Sequence, residues 1–207
     1  MSPTEEQVAF YMQLGCALTQ WAHVEDAIRR VLAGAFEDDL NRKAINVGFF
    51  SIDGFRAKMD FAEAVVERML ATRKPEQREP WTALVDRTRR ASYQRNRLAH
   101  WRVMVYADGR AGRRYALESW IYTKDDLRRY KGRPKPGALC LRDVVKLRHE
   151  FFALTCALAN FLARLGDKPA PFPESAERLE NPPTIAKLKR QIHEGFSFQK
   201  QAGVAEQ

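Results

Sequence analysis

Apolar residues recur at helical spacing over four long stretches of the chain, and the period changes between the third and the fourth. Thr4 is a good N-cap with Glu5 and Glu6 favourable in the turn that follows. From there the pattern predicts a helix to about Gly34, with Leu14, Leu18, Trp21, Ile28 and Leu32 on one face. Residues 35–50 break the period. Glu37-Asp38-Asp39 and the pair Phe49-Phe50 read as a loop or short turns, the phenylalanines folding back onto the core. Ser51 or Asp53 then caps a second helix to about Arg73, striped by Phe55, Met59, Ala62, Val66 and Met69 or Leu70. Lys74-Pro75 marks a turn. The third helix starts within 76–81, where Pro80 is tolerable only in a first turn, and it runs to His100. The fourth runs from about Leu141 to Leu165, carries Val144, Leu147, Phe151, Leu154, Leu158, Phe161 and Leu162, and ends at Gly166.

After His100 the pattern alternates. Val103 and Val105, then Tyr115, Leu117, Ser119 and Ile121, flank the turn signal Asp108-Gly109, which predicts a β-hairpin over 102–107 and 114–123. Residues 124–138, basic and rich in Gly and Pro, read as a solvated connector. Beyond Gly166, Pro169, Pro171, Pro173, Pro182 and Pro183 preclude regular structure. Residues 167–207 are therefore expected to form a Pro-rich arm, with a short amphipathic helix over 184–194 that docks on its own body or on a neighbouring subunit. The expected fold is all-α: a four-helix up-and-down bundle over 1–166 with a hairpin insertion, 102–123, between the third and fourth helices.

Composition narrows the class. Of 207 residues 45% are apolar, enough for a sizeable core. The balance of 35 Lys+Arg against 26 Asp+Glu, a formal +9, favours a polyanionic partner such as nucleic acid. Cys16, Cys140 and Cys156 are odd in number and lack metal-ligand spacing, so they read as reduced core residues of a cytoplasmic protein. The acidic N-terminus has no apolar core of a signal peptide, and the longest apolar run, 151–163, is too short to span a bilayer.

Candidate chemistry concentrates on the third helix. Trp81, Leu84, Val85, Thr88, Ala91, Ser92, Leu98 and Ala99 share the side that a core would take, and Arg95 projects from its middle. Asn96 and His100 lie at the edge of that side, one turn apart. A guanidinium there needs a partner or a cleft. On the first helix Glu25 sits on the core-facing side between Trp21 and Ile28, so it is the expected partner of Arg95, a pairing compatible with an active site. No Gly-rich phosphate loop and no G-x-S-x-G motif occurs, and His149-Glu150 lacks the second histidine of H-E-x-x-H. No cofactor or metal is implied by these residues.

Arg95, its polar neighbour Asn96 and His100, with four residues between Arg and His, resemble the R-x4–6-H motif of the HEPN superfamily. The first helix, with Trp21 and Glu25, and the order of the helices over about 4–166 look like those of its bacterial members. The hairpin and the arm have no counterpart in that resemblance. It implies a metal-independent ribonuclease working as a homodimer, a toxin or defence effector held in check by an inhibitory partner protein. His100 would be the general base for the 2′-hydroxyl and Arg95 the cation beside the phosphoryl oxygens, with Asn96 orienting one of them and Glu25 and Ser92 supporting. Arg89, Arg90, Arg97 and Arg102 would contact RNA phosphates, and Tyr93 and Trp101 would stack on bases. The competing expectation is a non-catalytic helical module that binds nucleic acid, nucleotide or protein. In that case Arg95 is a structural ion, His100 a helix cap and the aromatics packing residues.

Overall fold

The computed structural model describes residues 4–108, 112–119, 129–130 and 134–166. Among them are five α-helices: α1 (Glu5–Gly34), α2 (Asp39–Ser51), α3 (Phe55–Arg73), α4 (Arg78–His100) and α5 (Leu141–Leu165). Strands β1 (Arg102–Asp108), β2 (Gly112–Glu118) and β3 (Leu139–Cys140) lie between the last two helices. The expectation of a mostly helical chain holds, with five helices in place of four.

α1 begins where its cap chemistry places it: the Thr4 hydroxyl accepts from the backbone N–H of Gln7 at 3.2 Å. It packs most extensively on α5. The Trp21 ring stands edge-on between Phe55 of α3, at 4.8 Å between centroids, and Phe151 of α5, at 5.2 Å. Farther along, Trp81 of α4 stacks on Phe161 of α5 at 5.3 Å. These rings and the buried Ile28, Leu32, Met59, Leu70 and Leu154 form one continuous core. Polar groups that enter it are bonded: Gln20 donates to Thr155 at 3.2 Å across α1 and α5, and the buried Arg148 donates to Gln13 at 2.9 Å. A Cβ at Gly34 would stand 2.6 Å from Leu162 Cδ1, so a residue without a side chain lets α1 and α5 approach there.

Residues 39–51 are a helix, not a loop. Asp38 caps it by accepting from Asn41 N–H at 2.7 Å. Only Phe49 of this helix is buried, while Leu40, Val47 and Phe50 face outward. A helix that touches the body through so little of its surface leaves no apolar period to read. Ser51 accordingly ends α2, donating to Val47 O at 2.9 Å, and does not cap α3. Gly54 takes the position before α3 with φ +80°, a conformation glycine adopts without steric cost.

β1 and β2 pair antiparallel from Arg102↔Glu118 to Asp108↔Gly112. β2 starts two residues earlier than expected, and the final residues of the expected strand, 120–123, lie outside the described residues, as do the turn at 109–111, most of the connector and the arm at 167–207. β3, which the alternation did not reveal because it is two residues long, pairs with β2 through Ala116↔Cys140 and Leu117↔Leu139. The cysteines are free thiols but not core residues: Cys16 and Cys156 are half-buried and Cys140 is exposed, capping α5 together with Asp143. Among the described residues no helix is long and apolar enough to cross a membrane.

Phe151→Ala, which empties a site where the ring is fully buried, is expected to cost about 3–5 kcal/mol in urea unfolding. Tyr93→Ala, at an exposed position of α4, should stay within about 0.5 kcal/mol of the wild type.

Candidate functional site

α4 buries Trp81, Val85, Thr88 and Leu98, and leaves Leu84, Ala91, Ser92 and Arg95 partly covered. Ala99, expected on the core side, is exposed. Arg95 lines a cavity of about 440 Å³ bounded by α1, α2, α3 and α4, whose wall also carries Trp21, Glu25, Arg29, Phe49, Phe50 and Lys58. Glu25 and Arg95 thus face the same space, but they are not ion-paired. Glu25 accepts from the indole N–H of Trp21, one helical turn before it, at 2.6 Å, and meets Lys58 Nζ of α3 at 3.7 Å. The expected Glu25–Arg95 bridge is displaced by these nearer partners. Arg95 instead donates Nη1–H to Asn96 Oδ1 at 3.2 Å, and its Nε–H is buried without an acceptor. Asn96, exposed, therefore holds the arginine.

His100 is the last residue of α4, exposed, with no hydrogen bond or ion pair among the described residues. Five residues separate it from Arg95, which sets the two side chains about 140° apart around the axis of a regular helix. One copy of α4 does not bring them onto one side. Ser92 donates to Arg89 O at 2.8 Å, a bond within the helix that leaves it turned away from Arg95's partners.

The arginines around the motif divide into two groups. Arg89 is held by Asp60 at 2.7 Å and Glu63 at 2.5 Å on α3. The Asp60 hydrogen bond first, and then the Glu63 charge, raise its pKa above the ordinary guanidinium value. Arg97 donates to Gln94 at 2.7 Å and to the Gly137 carbonyl, and its guanidinium lies 4.2 Å over the Trp101 ring. Trp101 packs against the core on its other side. Arg89, Arg97 and Trp101 are thus engaged within the fold. Arg90, Arg102 and Tyr93 are exposed.

The cavity contributes residues that spacing alone did not mark: Asp26, Arg29, Lys58 and the exposed ring of Phe50. Phe49 folds onto the core as expected, whereas Phe50 does not. Asp26 accepts from Arg29 at 2.7 and 2.9 Å and from Arg30 at 2.7 Å. Burial pushes its carboxyl up, but the bonds and charge of Arg29, and then those of Arg30, outweigh burial and hold it below the usual carboxylate range. Among the described residues no group of three or more His, Cys, Asp or Glu is placed to hold a metal ion.

No family model, curated protein or solved structure matches the chain.

Because the folded-state pKa of Asp26 is depressed, its ionised form stabilises the fold above the unfolded carboxyl pKa of about 3.9. That contribution is lost as pH falls through the folded value. Asp26→Asn should therefore lower the unfolding free energy at pH 7, with the gap to wild type narrowing below about pH 5 and closing in stronger acid. Urea titrations at stepped pH measure this, and a gap that widens in acid contradicts it.

Proposed function

We propose that the chain is a metal-independent endoribonuclease of HEPN type that cuts single-stranded RNA by attack of its own 2′-hydroxyl. The observation that carries this reading is the state of Arg95. It is a half-covered guanidinium on a cavity wall, with no carboxylate partner and one donor spent on Asn96. A structural ion would be neutralised by Glu25, and here it is not. His100, exposed and unbonded at the end of the same helix, has a reference pKa of about 6.5, suited to taking the 2′-hydroxyl proton. Arg95, steadied by Asn96, offers its fork to the phosphoryl oxygens as charge grows on them. The 2′-oxygen displaces the 5′-oxygen of the next nucleotide, leaving a 2′,3′-cyclic phosphate.

The angle of about 140° between Arg95 and His100 is reconciled by a homodimer whose α4 helices face each other across a cleft. The helices would then form the up-and-down bundle of the family, and Arg90, Arg102 and Tyr93 would lie along the RNA path. A toxin or defence role in the cytoplasm, restrained by a partner protein, belongs to the same reading. The same angle, together with the internal engagement of Arg89 and Arg97, favours the second reading, a non-catalytic module that binds RNA, nucleotide or protein.

In EDTA the purified protein is expected to cleave single-stranded RNA to cyclic or 3′-phosphate ends and to leave DNA intact. His100→Ala should lower the rate about 10²–10⁴-fold without loss of fold. Equal cleavage by His100→Ala gives the second reading precedence. If the site is shared between copies, mixing Arg95→Gln and His100→Ala chains should restore roughly a quarter of wild-type activity, since half the dimers are mixed and each holds one complete site. Sedimentation that shows only monomer at tens of micromolar excludes that arrangement.

A further inference from the structure

The charges around the cavity are unequal in a specific way. Arg29, Lys58 and Arg95 face Glu25 and Asp26. Asp26 is taken by Arg29 and Arg30, and Glu25 by Trp21 and Lys58. Arg95 is left over, without a carboxylate within ion-pairing distance among the described residues. A phosphate meets the planar donor fork that such a guanidinium presents.

The remainder of the wall is apolar and aromatic. Phe50 is 69% exposed, an unusual state for phenylalanine, and stands at the rim with Phe49 edge-on behind it at 6.1 Å. An open ring beside an unpaired guanidinium suits a flat aromatic group that carries a phosphate. At about 440 Å³ the cavity falls in the size range of small-ligand sites. Glu25 and Asp26 keep acceptor lone pairs that amino groups on a base edge can use. An acyl chain would leave those carboxylates dry and unbonded, at a cost.

We infer that this cavity is a binding site for one nucleotide, its base stacked on Phe50 and its phosphate held by Arg95. The ribonuclease reading enters only in the choice of RNA as one source of that nucleotide. A free nucleoside monophosphate presents the same ring and phosphate.

Calorimetric titration of the full chain in EDTA, with adenosine and cytidine monophosphates and with inorganic phosphate as probes, tests the site. The monophosphates are expected to bind more tightly than phosphate. Phe50→Ala, at an exposed position, should weaken them roughly 5- to 150-fold, the loss of one base stack, and leave phosphate binding unchanged. Arg95→Gln should weaken both. Monophosphate binding that ignores Phe50→Ala, phosphate that binds as tightly as the nucleotides, or no binding of either probe overturns the inference. In the His100→Ala protein, a short single-stranded oligoribonucleotide that displaces the monophosphate identifies the RNA strand as the source. An oligoribonucleotide that does not displace it identifies the free nucleotide, and either result retains the site. Phe50-dependent nucleotide binding without RNA cleavage removes the ribonuclease reading alone, and cleavage with Phe50-independent binding removes this inference alone.

Discussion

The indole of Trp21 is the group on which the remaining arrangement turns. Its faces and edges join α1 to α3 through Phe55 and to α5 through Phe151, so burying this one side chain docks three helices together. Burial also obliges its N–H to find an acceptor, and Glu25, one turn farther along α1, provides it at 2.6 Å. A hydrophobic anchor thereby sets the position of a carboxylate. With Glu25 committed to Trp21 and Lys58, the guanidinium of Arg95 has no acid to meet. The uncompensated charge at the candidate site is a consequence of how the core is packed.

A second set of contacts fixes the end of α4. Arg97 reaches the Gly137 carbonyl ahead of β3 and lies over Trp101, which leads into β1. The chain leaves the helix in an extended conformation at Trp101, with ψ 149°. His100 is thus the final helical residue, held between an arginine clamp and the start of the sheet. Arg97 is therefore a structural residue although its sequence neighbours belong to the motif. Arg89 is likewise held by Asp60 and Glu63, and it ties α4 to α3 on the face away from the cavity.

The helices of this chain were readable in sequence in proportion to how much each of them buries. α1, α3, α4 and α5 each place several residues in the core, and the spacing of Trp21, Ile28 and Leu32, or of Val144, Phe151 and Leu158, registers that burial directly. α2 buries Phe49 alone, and β3 has two residues, so neither could produce a period. The motif residues Arg95, Asn96 and His100 stood out because polar groups in or beside an apolar face are anomalous at the level of the sequence. The residues opposite them, Lys58, Arg29 and Phe50, are ordinary on their own helices and acquire significance only from what the fold sets beside them.

By itself the sequence determined the helix register, the side of α4 on which Arg95 lies, the hairpin that follows it and the end of α5 at Gly166, because each depends on local periodicity, capping or turn chemistry. Which acid meets which base depended on tertiary structure. Glu25 and Arg95 are both directed inward by their helices, and spacing along the chain cannot say whether Lys58 of a third helix will come between them. Ion pairing inside a bundle is decided by distances of a few ångströms among side chains far apart in sequence, and here the packing around Trp21 sets those distances.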